Sequence, residues 1–216
     1  MKLQFSLSGS AFFKAVFAWV LLGLIGTASL RAQTPLTNSN FNTARNLWFS
    51  DQSAAIATYG HIKDWNVTGV TDMNEAFKDK TSFDENITGW DVSNVTNMSS
   101  MFEEATAFNQ NIADWNTSAV TYMRNMFKGA TSFNQAVGDW NTSAVTDMFN
   151  MFCGASSFNQ DIGGWDVSNV ENMYKMFRSA SAFNQDIGDW NVSSVTNMFF
   201  MFTDANAHSN AHKGLI

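Results

Sequence analysis

The sequence predicts an α/β solenoid of about six 25-residue units behind an N-terminal helical cap. Three observations predict it. Trp65, Trp90, Trp115, Trp140, Trp165 and Trp190 are spaced by 25 residues without exception. Columns of Val, Met, Phe and Ile keep the same step. The composition carries the repeat's mark, with 20 Phe, 12 Met and 8 Trp in 216 residues. A unit of this length cannot bury its own apolar side, whereas a stack of units can.

Residues 1–32 contain no acid. Lys2 and Lys14 precede the apolar run AVFAWVLLGLI from Ala15 to Ile25, and small residues follow. This is the layout of a secretory signal peptide, with cleavage expected near Ala32 or Ala28. The alternative is a signal anchor, but the run is well short of the ~20 apolar residues a membrane span needs. Removal of this segment leaves 9 basic and 19 acidic residues, a net charge of −10 against −7 for the whole chain. The mature chain is expected to have no membrane span and, with no cysteine near the signal, no lipid anchor.

Residues 33–62 are expected to form the cap. The stretch 42–58 is mostly helix-tolerant, and Leu47, Trp48 and Ile56 are placed to cover the first unit. Residues 63–205 hold the repeats. Within one unit, Ile87-x-x-Trp90-x-Val92 reads as a short strand with Trp90 and Val92 on one side. Val95, Met98, Met101, Phe102 and Ala105 follow at steps of three and four, one apolar face of a short helix or 3₁₀ segment. Ser93 is the expected cap of that segment. Asn109, Asn134, Asn159 and Asn184 recur after the Phe column and are placed to form a side-chain hydrogen-bond ladder. Residues 206–216 depart from the repeat and are read as a tail.

The I-x-x-W-x-V spacing matches the L-x-x-L-x-L of leucine-rich repeats. More specifically, FNQDIGGWDVSNVENMYKMF (158–177) and its neighbours resemble the BspA-like leucine-rich-repeat surface proteins, whose repeat also occurs in mycoplasma surface lipoproteins. The resemblance covers about residues 59–205. It implies a secreted or cell-surface repeat protein linked to adhesion, and it brings no catalytic residues.

Several chemistries are excluded or disfavoured. A sequence pI near 4.7 opposes nucleic-acid binding, which needs clustered Lys and Arg. One cysteine leaves no intramolecular disulfide and no Cys-cluster zinc site. The M-x-x-M pairs have the softness of Cu(I) ligands, yet they lie on the expected core face and read as packing. His208 and His212 have metal-pair spacing without a third ligand. The recurrent Asp91, Asp166, Asp186 and Asp189 show no calcium-loop pattern. No catalytic constellation, cofactor site or metal site is expected.

Two surface features remain. Cys153 stands in a column otherwise filled by Lys78, Glu103, Lys128, Arg178 and Thr203, so it is expected to face solvent. It is either an intermolecular thiol or an unpaired cysteine without a role. In another column Asn74, Ser99 and Arg124 give way to Phe149, Tyr174 and Phe199. These rings, beside Arg178, form either an exposed partner-binding strip or a widening of the core. The expected function is non-catalytic binding of an extracellular protein or glycan, with self-association into an extracellular structure as the alternative and a glycan-active enzyme, for which no acid/base pair is found, as the less favoured third.

Overall fold

The computed structural model describes residues 34–207. The expected signal segment, His208 and His212 lie outside the described residues.

The cap begins as expected. Helix α1 spans Phe41–Ser50 and helix α2 spans Gln52–Tyr59. Asp51 ends the first and caps the second, its carboxylate accepting from the Ala54 N–H at 3.0 Å. Trp48 is buried and meets Trp65 edge-on at 6.0 Å, so it covers the first unit. Leu47 is partly buried against the same core. Ile56 does not share this role: it is exposed, and Leu36, Phe41 and Ala44 are buried instead. A one-turn 3₁₀ helix, Ile62–Asp64, leads into Trp65.

The α/β solenoid with a leucine-rich-repeat stack is overturned. Among the described residues after Trp65 there is no helix and no strand, only single-residue parallel bridges. These run Asp72↔Asn97↔Tyr122↔Asp147↔Asn172↔Asn197, one per repeat. The segment Ile87–Val92, expected as a strand, contains a turn closed by Trp90 N–H to Ile87 O at 3.1 Å.

Each unit is a chain of β-turns. In the second repeat the N–H groups of Trp90, Val95, Met101, Ala105 and Phe108 donate to the carbonyls of Ile87, Val92, Met98, Phe102 and Ala105, three residues back. Apolar residues occupy the turn corners and point inward, which accounts for the step of three that mimics a helical face. A helix is prevented because Ser100 and Glu104 have φ of 54° and 58°, left-handed values that interrupt both helix and strand. The same two positions are left-handed in every described unit, from Glu75 and Asp79 through Asn125, Gly129, Asn150 and Gly154 to Phe200 and Asp204. Ser93 caps no helix; its N–H donates to the Asp91 carboxylate in a local turn.

Backbone bonding alternates along the corner. The N–H groups of Met98, Ser100, Phe102 and Glu104 donate to Tyr122, Arg124, Met126 and Lys128 of the next unit at 2.7–3.0 Å. Those of Met101, Glu103 and Ala105 donate back within their own unit. The Ser99 N–H takes the Asn97 side chain. Every N–H from 98 to 105 is thereby satisfied, as buried backbone requires.

The core consists of ring columns. Phe102 and Phe108 stack at 3.8 Å within one unit, and Phe102 meets Phe127 of the next at 5.6 Å. The Met pairs are fully buried between these layers from Met98 to Met176. The expected asparagine ladder is present: Asn109, Asn134 and Asn159 each accept, through Oδ1, from the N–H of the asparagine one unit on, at 2.8–2.9 Å.

Candidate surface site

Phe149, Tyr174 and Phe199 each occupy the second position of a four-residue turn. These turns are closed by Met151→Met148, Met176→Met173 and Met201→Met198 bonds at 3.1–3.2 Å. Their N–H groups are held by the side chains of Asp147, Asn172 and Asn197 two residues earlier. The backbone is thus pinned from both sides, and the side chain is directed away from the Met corners.

The rings do not form the uniform exposed strip expected. Phe149 and Tyr174 stack at 5.3 Å with planes 11° apart, but both are half-buried. Their faces are largely taken. The Arg124 guanidinium lies over Phe149 at 5.0 Å, and Lys175 Nζ lies over Tyr174 at 4.6 Å. Phe199 leaves the column and is 72% exposed. Phe200 meets Tyr174 edge-on at 5.9 Å in its place and is itself exposed. Phe200 has φ of 63°, an uncommon conformation for a bulky side chain.

Arg178 is half-buried, and among the described residues it contacts none of these rings. The cations that do are Arg124 and Lys175, which sequence reasoning missed, together with Phe200. The Phe199-Phe200 doublet and the Lys at a position filled by Asn125 and Asn150 were the available signals.

Cys153 does not face solvent freely; it is half-buried. Burial pushes its thiol pKa up, against the opposing charges of Arg178, Lys128 and Lys175. A raised thiol pKa means less of the nucleophilic thiolate. The column that holds Cys153 carries an ion-pair chain in earlier units. Glu103, almost covered, accepts from Lys128 Nζ at 2.7 Å and lies 3.5 Å from Lys78. Burial opposes its ionisation, but the hydrogen bonds from Lys128 and Ser100 and the two lysine charges outweigh it. The Glu103 carboxyl therefore sits below the ordinary range. Lys128 also approaches Glu104 at 3.9 Å, and Arg124 approaches Asp147 at 3.9 Å. Lys175 and Arg178 have no carboxylate partner among the described residues.

The recurrent aspartates serve local turns. Asp91, Asp166 and Asp186 accept from the N–H two residues on, and hydrogen bonds from Ser93 and Ser168 hold the Asp91 and Asp166 carboxyls below the usual range. No group of three or more His, Cys, Asp or Glu side chains is arranged to hold a metal among the described residues.

Turn-built units in register, with ring columns inside and a mixed aromatic and cationic surface, define a repeat protein. The chain belongs to the family described as "Mycoplasma protein of unknown function, DUF285", which it matches over residues 45–148 and 136–214. No curated protein and no solved structure matches it.

Proposed function

We propose that this is a secreted or cell-surface repeat protein of BspA-like kind that binds an extracellular protein or glycan without catalysis. The segment 1–32 fits export in this reading. The observation that supports it best is the strip itself. Phe149 and Tyr174 stack in register, Arg124 and Lys175 cover their faces, and Phe199 stands 72% exposed beside them. Exposed aromatics next to cations are typical of interface centres. A binding screen of the purified chain against extracellular proteins and glycans tests this, with the F149S/Y174S/F199S variant alongside. A hit lost in a folded variant supports the reading; a hit retained in full removes the strip from it.

One observation favours self-association as a second reading. In the preceding unit the N–H groups of Met173, Lys175 and Ser179 donate to the next repeat, whereas among the described residues those of Met198, Phe200 and Asp204 find no acceptor. An unpaired edge of this kind can template pairing with another copy. Particle size that grows with concentration supports this reading, and a constant size opposes it.

A further inference from the structure

We infer that copies of this chain join head to tail, the turn corner of the last unit, 198–204, docking on the corner of the first, 72–78, in another copy. The inference rests on the self-association reading above and names the two edges that meet. Bonding along this corner runs one way. At each junction four N–H groups of the earlier unit donate to four carbonyls of the later, as from 98–104 to 122–128. The stack therefore ends in a row of donors on one side and a row of acceptors on the other. Among the described residues the N–H groups of Met198, Phe200 and Asp204 have no acceptor, and the carbonyls of Asp72, Asn74 and Lys78 have no donor. In the register of the internal junctions Met198 faces Asp72, Phe200 faces Asn74 and Asp204 faces Lys78 of the next copy. This polarity selects the occupant. Two last units would set donor against donor. An ordinary β-strand edge alternates N–H and C=O, so half of its groups would find no partner here. A row of carbonyls is what the first unit of the same chain carries.

Charge agrees with this register. Across one internal junction Lys128 Nζ lies 3.9 Å from the Glu104 carboxylate. Lys78 stands in the column of Lys128, and Asp204 in the column of Glu104. Docking therefore sets Lys78 of one copy beside Asp204 of the other, and Asp204 has no cation partner among the described residues. Apolar surface lies at the same two ends. Tyr122 apart, the large apolar side chains exposed among the described residues are Phe49 and Ile56 on the cap and Phe199 and Phe200 on the last unit. The cap leaves the first corner open. Asp72 and Asn74 are exposed, and an open cavity of about 380 Å3 lies between Arg45, Glu75 and Lys78. The cap takes only the Ala76 carbonyl of the row, through Arg45 Nη1 at 3.3 Å. A contact between two different edges does not close on itself, so it builds open chains rather than dimers.

The test is sedimentation of the full chain over a concentration series, where growth past the dimer is expected. A carbodiimide couples an amine to a carboxylate in contact with it. It is expected to link Lys78 to Asp204, which lie in the first and last units of one chain and meet only between copies. This crosslink uses the unaltered chain and depends on no variant folding. D204K and K78E are each expected to weaken association at least about tenfold. An equimolar mixture of the two is expected to restore it, because every mixed junction pairs opposite charges. Near-UV circular dichroism of the tryptophans checks that each variant folds. A plateau at the dimer, absence of the Lys78–Asp204 link, or a mixture of folded variants no larger than its parts would overturn the inference. Growth that D204K leaves unchanged keeps the self-association reading and removes this pair of edges, whereas a constant size removes both.

Discussion

The indole Nε1 of Trp140 donates to the carbonyl oxygen of Ile112, 28 residues earlier, at 3.1 Å. The same bond joins Trp90 to Ile62, Trp115 to Ile87, Trp165 to Val137 and Trp190 to Ile162. Each tryptophan thus fills its own layer and ties it to the layer before. A buried indole N–H needs such a partner. This explains why the column is always Trp and never Phe, although Phe is the commoner aromatic in the chain.

Trp140→Phe removes the inter-layer donor, while the Ile112 carbonyl keeps its bond from the Trp115 N–H at 3.2 Å. A loss of about 0.5–1.5 kcal/mol is expected, that of one hydrogen bond, read as a lower urea midpoint. No loss, with the neighbouring units intact, would show that the Trp115 bond alone satisfies the carbonyl.

Gly154 and Ser179 occupy the same left-handed position in adjacent units, with φ of 74° and 58°. A Cβ at Gly154 meets only ordinary contacts at 3.7 Å, so Gly154→Ala pays for backbone conformation alone. The cost expected is about 1 kcal/mol, and Ser179→Gly should gain a similar amount. Opposite shifts in thermal midpoint check both. Shifts of the same sign would show that Ser179 contributes something besides its backbone angle.

Lys128→Met removes the principal partner of the almost buried Glu103. A loss of about 1–3 kcal/mol at neutral pH is expected, since the nearly covered carboxylate keeps only Lys78, at 3.5 Å, and its Ser100 hydrogen bond. The sign with pH follows from the lowered Glu103 pKa. Stability from this pair is present above the unfolded carboxylate pKa and is lost as pH falls through the lower folded value. The gap between parent and variant should therefore shrink in acid. Denaturation midpoints measured from neutral to acidic pH decide it; a constant gap would place the loss in packing.

Much of the architecture was legible in one dimension. The 25-residue period, the columns that line the core, the helical cap around Trp48 and the asparagine ladder all follow from identity of residues at a fixed step. Identical residues recur because stacked layers present identical surroundings. The type of element was not legible. Val92, Val95, Met98 and Met101 show a strict step of three, and consecutive β-turns satisfy it as well as a helical face does. The left-handed angles at Ser100 and Glu104 decide between them, and no glycine marks those positions in that unit. The units with Gly129 and Gly154 carried the only such signal.

The candidate strip was half legible. The change from Ser99 and Arg124 to Phe149 and Tyr174 is visible in the column. Exposure is not, because it depends on what lies over each ring. Arg124 reaches Phe149 from one unit before, and Lys175 folds back over Tyr174 beside it. By itself the sequence determined the repeat, its period and its core columns, since burial of apolar surface imposes those at every unit. Only the tertiary structure decided that the units are turns, that each Trp bonds to the preceding layer, and that Phe199 rather than Phe149 is exposed. Those depend on backbone angles and on contacts between layers, and neither is set by a residue's place in the repeat.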